Sequence, residues 1–310
     1  MPVTHALKRE QFRALHHEGC FVIPNPWDVG GARRLEKLGF KALASTGAGY
    51  AWSLGREDGQ LTLDESLGHL RTLCAATDLP VNADFEGGYA DDPEGVFKNV
   101  LLAIDTGVAG LSIEDRKGRE LIDFPRAVER VRAARRAIDQ SGQDVLLIGR
   151  SEGHFIGKPD LEATIGRLVA YSQAGADCLF APGVTDLSDI ARIVAAVRPK
   201  PVNVMITGPW PAVSDLAVIG VRRVSVGGSL AIAPGEALTW PRKCCLPREN
   251  CLRAHDPIQK SVSRRKKHSR GARARAANVR ARAGLICDAP RTLHIACCTN
   301  ARPGRFQAGG

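Results

Sequence analysis

"PVNADFEGGYADDPEGVFKNVLLAIDTGVAGLSIEDR", residues 80–116, contains one full period of the pattern that builds most of this chain. An apolar run ends in Asp84. After a glycine-rich turn, Val96, Val100 and Ile104 follow Pro93 at helical spacing. Gly107 stops that helix, and a second apolar run, "GLSIE", ends in Glu114. Strand, helix, glycine and strand in this order predict a βαβ unit of a parallel sheet.

The same unit recurs on both sides. Strand candidates are "CFVIP" (20–24), "KALAS" (41–45), "PVNAD" (80–84), "GLSIE" (110–114), "VLLIGR" (145–150), "DCLFA" (177–181), "PVNVM" (201–205) and "RRVSV" (222–226). Helices end in glycine just before a strand in "EKLGFKAL", "IDTGVAGLS", "SQAGADCLF" and "AVIGVRRVS". Eight such units predict an α/β fold, a (β/α)8 TIM barrel over residues 1–233, with a doubly wound open sheet as the alternative.

Composition changes abruptly after that. Of 43 Lys+Arg and 33 Asp+Glu, residues 234–310 hold 17 and 4, so the net charge of +10 is +13 in the tail and −3 before it. Six of the nine cysteines lie in the tail, without paired C-x-x-C spacing. Prolines at 234, 241, 247 and 257 stand where an eighth barrel helix belongs, so that helix is expected to be missing or disrupted. The arginine-rich run reads either as a basic arm for nucleic acid, with Arg264 to Lys267 at its centre, or as an out-of-frame translation of GC-rich coding sequence, the reading we favour. No run of 18 apolar residues suggests a membrane span, and the N-terminus has no apolar signal segment, so the expected compartment is the cytoplasm.

Active sites of such barrels form where the strands end. Asp84, Glu114 and Arg150 each close a strand candidate and Glu86 follows Asp84 by two, which on a strand places both acids on one face. Carboxylates converging without a matching Lys or His cluster call for a hard divalent cation, Mg²⁺ by default with Mn²⁺ as an alternative. Asn203 is expected at the end of the seventh strand, within reach of a substrate. The adjacent His16 and His17 cannot face one ligand and are expected on the surface, whereas Cys20, Cys74 and Cys178 are expected in the core.

These residues resemble the phosphoenolpyruvate mutase/isocitrate lyase superfamily. "DFEGGY" (84–89) is similar to its metal motif, "SIEDR" (112–116) to its Ile-Glu-Asp strand end, and "STGAGYAWSLGREDG" (45–59) to its substrate loop; "GRSEG" (149–153) takes the place of its Arg-Thr-Asp segment. The resemblance implies that Asp84 contacts Mg²⁺ and that Glu86 and Glu114 hold its waters. It further implies that Asp58 lies over the substrate as a base or metal-water partner. The backbone of Thr46, Gly47 and Ala48, with Arg150, would receive the substrate's anionic group. The implied activity is lyase cleavage of a C–C or P–C bond of a small 2-oxo or 2-hydroxy acid through an enolpyruvate intermediate, in a homo-oligomer. Phosphoryl-moving mutase chemistry and an idle barrel with a nucleic-acid-binding tail are the alternatives. "RKGRELIDFP" (116–125) lacks the cysteine of the isocitrate and methylisocitrate lyases, and "FAPGV" (180–184) lacks their glutamate. Both departures point to a less specified branch that does not use cysteine.

Overall fold

The computed structural model describes residues 3–208 and 211–233. Ten strands and nine helices are bounded within them. The strands β1 (Phe21–Ile23), β2 (Leu43–Ala44), β3 (Val81–Asp84), β4 (Gly110–Glu114), β7 (Leu146–Arg150), β8 (Cys178–Phe180), β9 (Val202–Met205) and β10 (Arg223–Ser225) form one parallel sheet in the order β1-β10-β9-β8-β7-β4-β3-β2. Every one falls inside a stretch read as a strand from sequence. The seam between β1 and β2 is bridged by the Ala44 amide, which donates to the Pro24 carbonyl at 3.0 Å. The sheet is therefore a near-closed (β/α)8 barrel rather than an open one. A two-stranded hairpin, β5 (Arg116–Lys117) with β6 (Glu120–Leu121), stands on the loop after β4.

Around the barrel run α2 (Val29–Lys37), α4 (Leu63–Ala76), α5 (Pro93–Ile104), α6 (Phe124–Ser141), α7 (Leu161–Gln173), α8 (Leu187–Val197) and the short α9 (Val213–Val218). Their starts are chemically marked. Asp92 accepts from the Gly95 amide with Pro93 in the first turn of α5, and Asp160 accepts from the Ala163 amide to open α7. The four glycines expected to end helices, Gly39, Gly107, Gly175 and Gly220, have φ between 89° and 103°, backbone that an L side chain rarely adopts.

The barrel has two apolar layers. Outward-facing strand residues such as Leu111, Ile113 and Leu147 pack on the helices. Inward-facing Ile23, Ala44, Leu146, Ile148, Cys178 and Phe180 pack with Phe12 from the N-terminal α1 (His5–Leu15). Two sequence expectations need correction. His16 is buried, its ring edge-on to Phe12 and Phe21, because α1 rolls that face onto the barrel interior; its neighbour His17 is exposed. Asn203 is the second residue of β9, not its end, so it sits one layer below the rim. Residues 229–233 are helical, and the expected loss of the eighth helix, like the basic tail of 234–310, falls otherwise outside the described residues. No described helix is long and apolar enough to cross a membrane.

Candidate active site

The strand ends enclose a cavity of ≈ 220 Å³ whose lining includes Thr46, Ala48, Asp58, Asp84, Glu86, Glu114, Arg150 and Asn203. The candidate site residues thus share one cavity, Asn203 lying below its mouth; Gly47, not itself in that lining, lies against Asp84 and Glu86. β3 stops at Asp84, Phe85 turns into the core, and Glu86 takes a left-handed backbone with φ 45°. This kink, rather than strand alternation, turns Glu86 toward Asp84. A Cβ on Gly47 would stand 3.2 Å from Glu86 Oε1 and 3.6 Å from Asp84 Oδ2, so a residue without a side chain lets the loop close on both acids.

Gly47 opens α3 (Gly47–Ser53), capped by Thr46, whose hydroxyl accepts from the Gly49 amide at 3.2 Å. The first N–H groups of a helix have no partner inside it. That of Gly47 donates to Asp84 Oδ2 at 3.0 Å, so among Thr46, Gly47 and Ala48 this amide is already engaged by the chain itself.

Arg150 is bound just as firmly. Its Nη1 pairs with Asp84 Oδ1 at 3.0 Å, its Nη2 with Glu114 at 3.5 Å, and its Nε with Glu152, while Phe180 lies beneath its guanidinium. Burial works against its charge, but Glu152, Glu114 and Asp84 more than offset this and hold its pKa above the ordinary arginine value. Arg116 forms a second node, 2.9 Å from Glu114, 3.4 Å from Glu152 and 3.0 Å from Asp58. Sequence reading missed both Arg116 and Glu152. Each lies two residues beyond an identified site residue, Glu114 and Arg150, and the two-residue step applied to Asp84 and Glu86 would have found them. It also passed over Asp115, which is buried and accepts from the Tyr171 hydroxyl at 2.6 Å, Arg167 at 3.1 Å and the Glu152 amide at 2.8 Å. Asp115 thereby fixes the backbone that presents Glu152.

Five carboxyl groups (Asp58, Asp84, Glu86, Glu114 and Glu152) therefore face two guanidinium groups. Burial, then the charges of Asp84 and Asp58, pushes Glu86 up to about 7. Burial also raises Glu114 and Glu152, against the pull of Arg150. Glu86 Oε1 is buried without a hydrogen-bond partner. An orphaned carboxylate oxygen in an acid-rich mouth, with oxygen donors throughout, fits a hard divalent cation. Among the described residues no three His, Cys, Asp or Glu stand close enough to bind one ion directly.

Comparison with known proteins agrees with this architecture. The sequence profile of the family described as phosphoenolpyruvate phosphomutase matches residues 12–240. An oxaloacetate decarboxylase of Paraburkholderia xenovorans is 30% identical over 235 residues, covering 72% of this chain and 75% of the relative. A crystallised protein of Burkholderia cenocepacia J2315, described only as a lyase/mutase, superposes with a TM-score of 0.74 at 42% identity, over 79% of this chain and 95% of that one. The crystal structure of 2,3-dimethylmalate lyase superposes with a TM-score of 0.69 at 27% identity, over 80% and 92%. With the profile spanning most of the barrel, the chain belongs to the phosphoenolpyruvate mutase/isocitrate lyase superfamily.

Proposed function

We propose that the chain is a divalent-cation-dependent lyase that cleaves the bond from C3 to its further carbon substituent in a small 2-oxo acid, leaving an enolpyruvate-type anion, or the C2–C3 bond of a small 2-hydroxy acid, leaving a 2-oxo acid and a carboxylate-stabilised carbanion that takes up a proton. The observation that supports this most directly is the buried, unpartnered Glu86 Oε1 beside Asp84 in a mouth with more carboxyl groups than guanidinium groups. Asp84 would hold the cation directly, with Glu86 and Glu114 on its waters. Mg²⁺ is the natural occupant and Mn²⁺ the alternative. When bound, such a cation supplies stabilisation of the negative charge that gathers on the ketone oxygen as the bond to C3 breaks.

The chain's own residues do the rest. Arg150, locked by Glu152 and Glu114, offers a fixed positive face to the substrate's carboxylate beside the amides of Thr46 and Ala48. Asp58 is exposed on the rim and tied to Arg116 at 3.0 Å, placed to take or return a proton. Trp52, Phe155 and Ile232 line the same cavity and reduce its access to water. Which bond breaks, C–C or P–C, depends on groups other than the acids. The match to phosphoenolpyruvate phosphomutase keeps phosphonate substrates as the second reading.

Calorimetric titration of the full chain with oxalate, a mimic of the enolpyruvate anion, tests the reading. Binding should require both Mg²⁺ and Asp84, and disappear in Asp84→Ala. Metal-independent binding, or none by a folded protein, overturns it.

A further inference from the structure

Below the mouth, the barrel interior carries a guanidinium that none of these steps uses. Arg223 is the first residue of β10, and strand alternation places it with Ser225 on the inner face. It is 3% exposed, yet it lines the same cavity as Asp84 and Glu114. Its Nε donates to Asn203 Oδ1 at 2.8 Å and its Nη1 reaches Asn82 Oδ1 at 3.4 Å. Asn203 is itself oriented, since its amide nitrogen donates to the Ser225 hydroxyl at 3.0 Å.

Both acceptors are neutral. Among the described residues no carboxylate pairs with Arg223; burial lowers its pKa, opposed by the nearby thiol of Cys178. A buried guanidinium without a counter-charge is strongly disfavoured, and amide oxygens satisfy hydrogen bonds without neutralising it. Nη2 has no described acceptor. A residue whose only task was to fill the barrel could be apolar, as Ile148 and Cys178 are in the same interior. An anion is what this position lacks.

The spacing indicates which anion. Asn82 precedes Asp84 by two residues on β3, a rise of about 7 Å. An anion on Arg223 would therefore lie about one strand layer below a group held at Asp84, a separation on the order of that between the two carboxylates of a short dicarboxylate. We infer that Arg223, oriented by Asn203 and Asn82, receives a second carboxylate of the substrate. The acid cleaved at the mouth is then a 2-oxo or 2-hydroxy dicarboxylate whose distal carboxylate lies at the base of the cavity. The inference rests on the proposed lyase reading of the mouth, and it assigns Asn203 to orienting Arg223.

The test uses the full chain with Mg²⁺ and four calorimetric probes: oxalate, pyruvate, phosphonopyruvate and 3,3-difluorooxaloacetate, a 2-oxo dicarboxylate. Wild type should bind the dicarboxylate at least about tenfold more tightly than pyruvate, and Arg223→Gln should lose about 10- to 100-fold of that affinity while oxalate changes less than about twofold. Arg223→Lys should retain part of the preference. Equal affinity of wild type for pyruvate and the dicarboxylate overturns the inference whether or not Arg223→Gln folds. So does a dependence on Arg223 seen with phosphonopyruvate instead. In both cases retained oxalate binding leaves the lyase reading standing; loss of oxalate binding by wild type overturns that reading instead.

Discussion

Glu86 is held in an unfavourable place from two directions: its backbone is left-handed at φ 45°, and its carboxylate oxygen is buried without a partner. Strain of this kind persists where the surroundings over-determine it, and sites that bind are where it collects. Its neighbour Gly47 gives a clean test. Gly47→Ala favours the helix that starts there, so melting temperature should hold or rise slightly. The added Cβ presses on Glu86 Oε1, and Mg²⁺-dependent oxalate binding should weaken severalfold in calorimetry. Glu152→Gln removes a buried charge that holds Arg150 and faces Arg116. A fall in kcat/KM of about 10- to 100-fold is expected once a substrate is identified, with the circular dichroism spectrum unchanged. At this scale, Asp84, Glu114 and Arg150 were legible because each ends an apolar run, and Glu86 because it follows Asp84 by two. Arg223 was not, because two successive arginines at the start of a strand candidate do not show which of them faces inward until the register places Arg223 inside.

Among the elements, α1 has the clearest energetic role. Phe12 is fully buried against the barrel interior, close enough that a Cβ on Gly110 would stand 2.7 Å from its ring. Phe12→Ala should cost about 3–5 kcal/mol in urea unfolding. His16 on the same helix gives the fold a pH dependence. Burial, then the charge of Arg223, lowers its pKa to about 3, while its Nδ1 bonds the Phe12 carbonyl at 2.8 Å. Between pH 6.5 and 3 the unfolded chain binds a proton that the folded chain excludes. The contribution of neutral His16 is therefore complete above pH 6.5 and falls by about 1.4 kcal/mol per unit below it. His69, lowered to about 4 mainly by burial, acts in the same direction. In His16→Phe, which keeps the ring packing, the loss of melting temperature from pH 7 to pH 5 should be smaller than in wild type. The hydrophobic period announced helices such as α5, but α1's burial of His16 was not readable, since adjacent histidines carry no signal of which one faces inward.

For the whole molecule, pairing is uneven around the ring. β4 and β7 pair over five positions, whereas β2 pairs with β3 over two and meets β1 through a single described amide bond. Hydrogen exchange should therefore show the amides of residues 111–113 and 147–149 as the slowest, and Ala44 among the fastest of the strand amides. Equal protection all round would mean a ring closed more evenly than this. The tail of 234–310 invites a simpler check at the level of the gene. Reading the other two frames downstream of residue 231 should yield an amphipathic helix in one of them if the frame has shifted; no helix-forming stretch in either would dispose of that origin.

By itself, the sequence determined the eight strands, the order of the βα units and the acids at their ends. These follow from local rules: alternation or unbroken apolarity for buried strands, a 3.6-residue period for helices, and glycine where φ must be positive. Tertiary structure alone decided which charges meet. That Arg150 already holds three carboxylates, that Arg116 joins Asp58 to Glu114, that Asp115 fixes Glu152, and that Arg223 lies inside without a counter-charge all depend on contacts between strands far apart in the chain. Burial sets the strength of such contacts, and burial exists only once the barrel has closed.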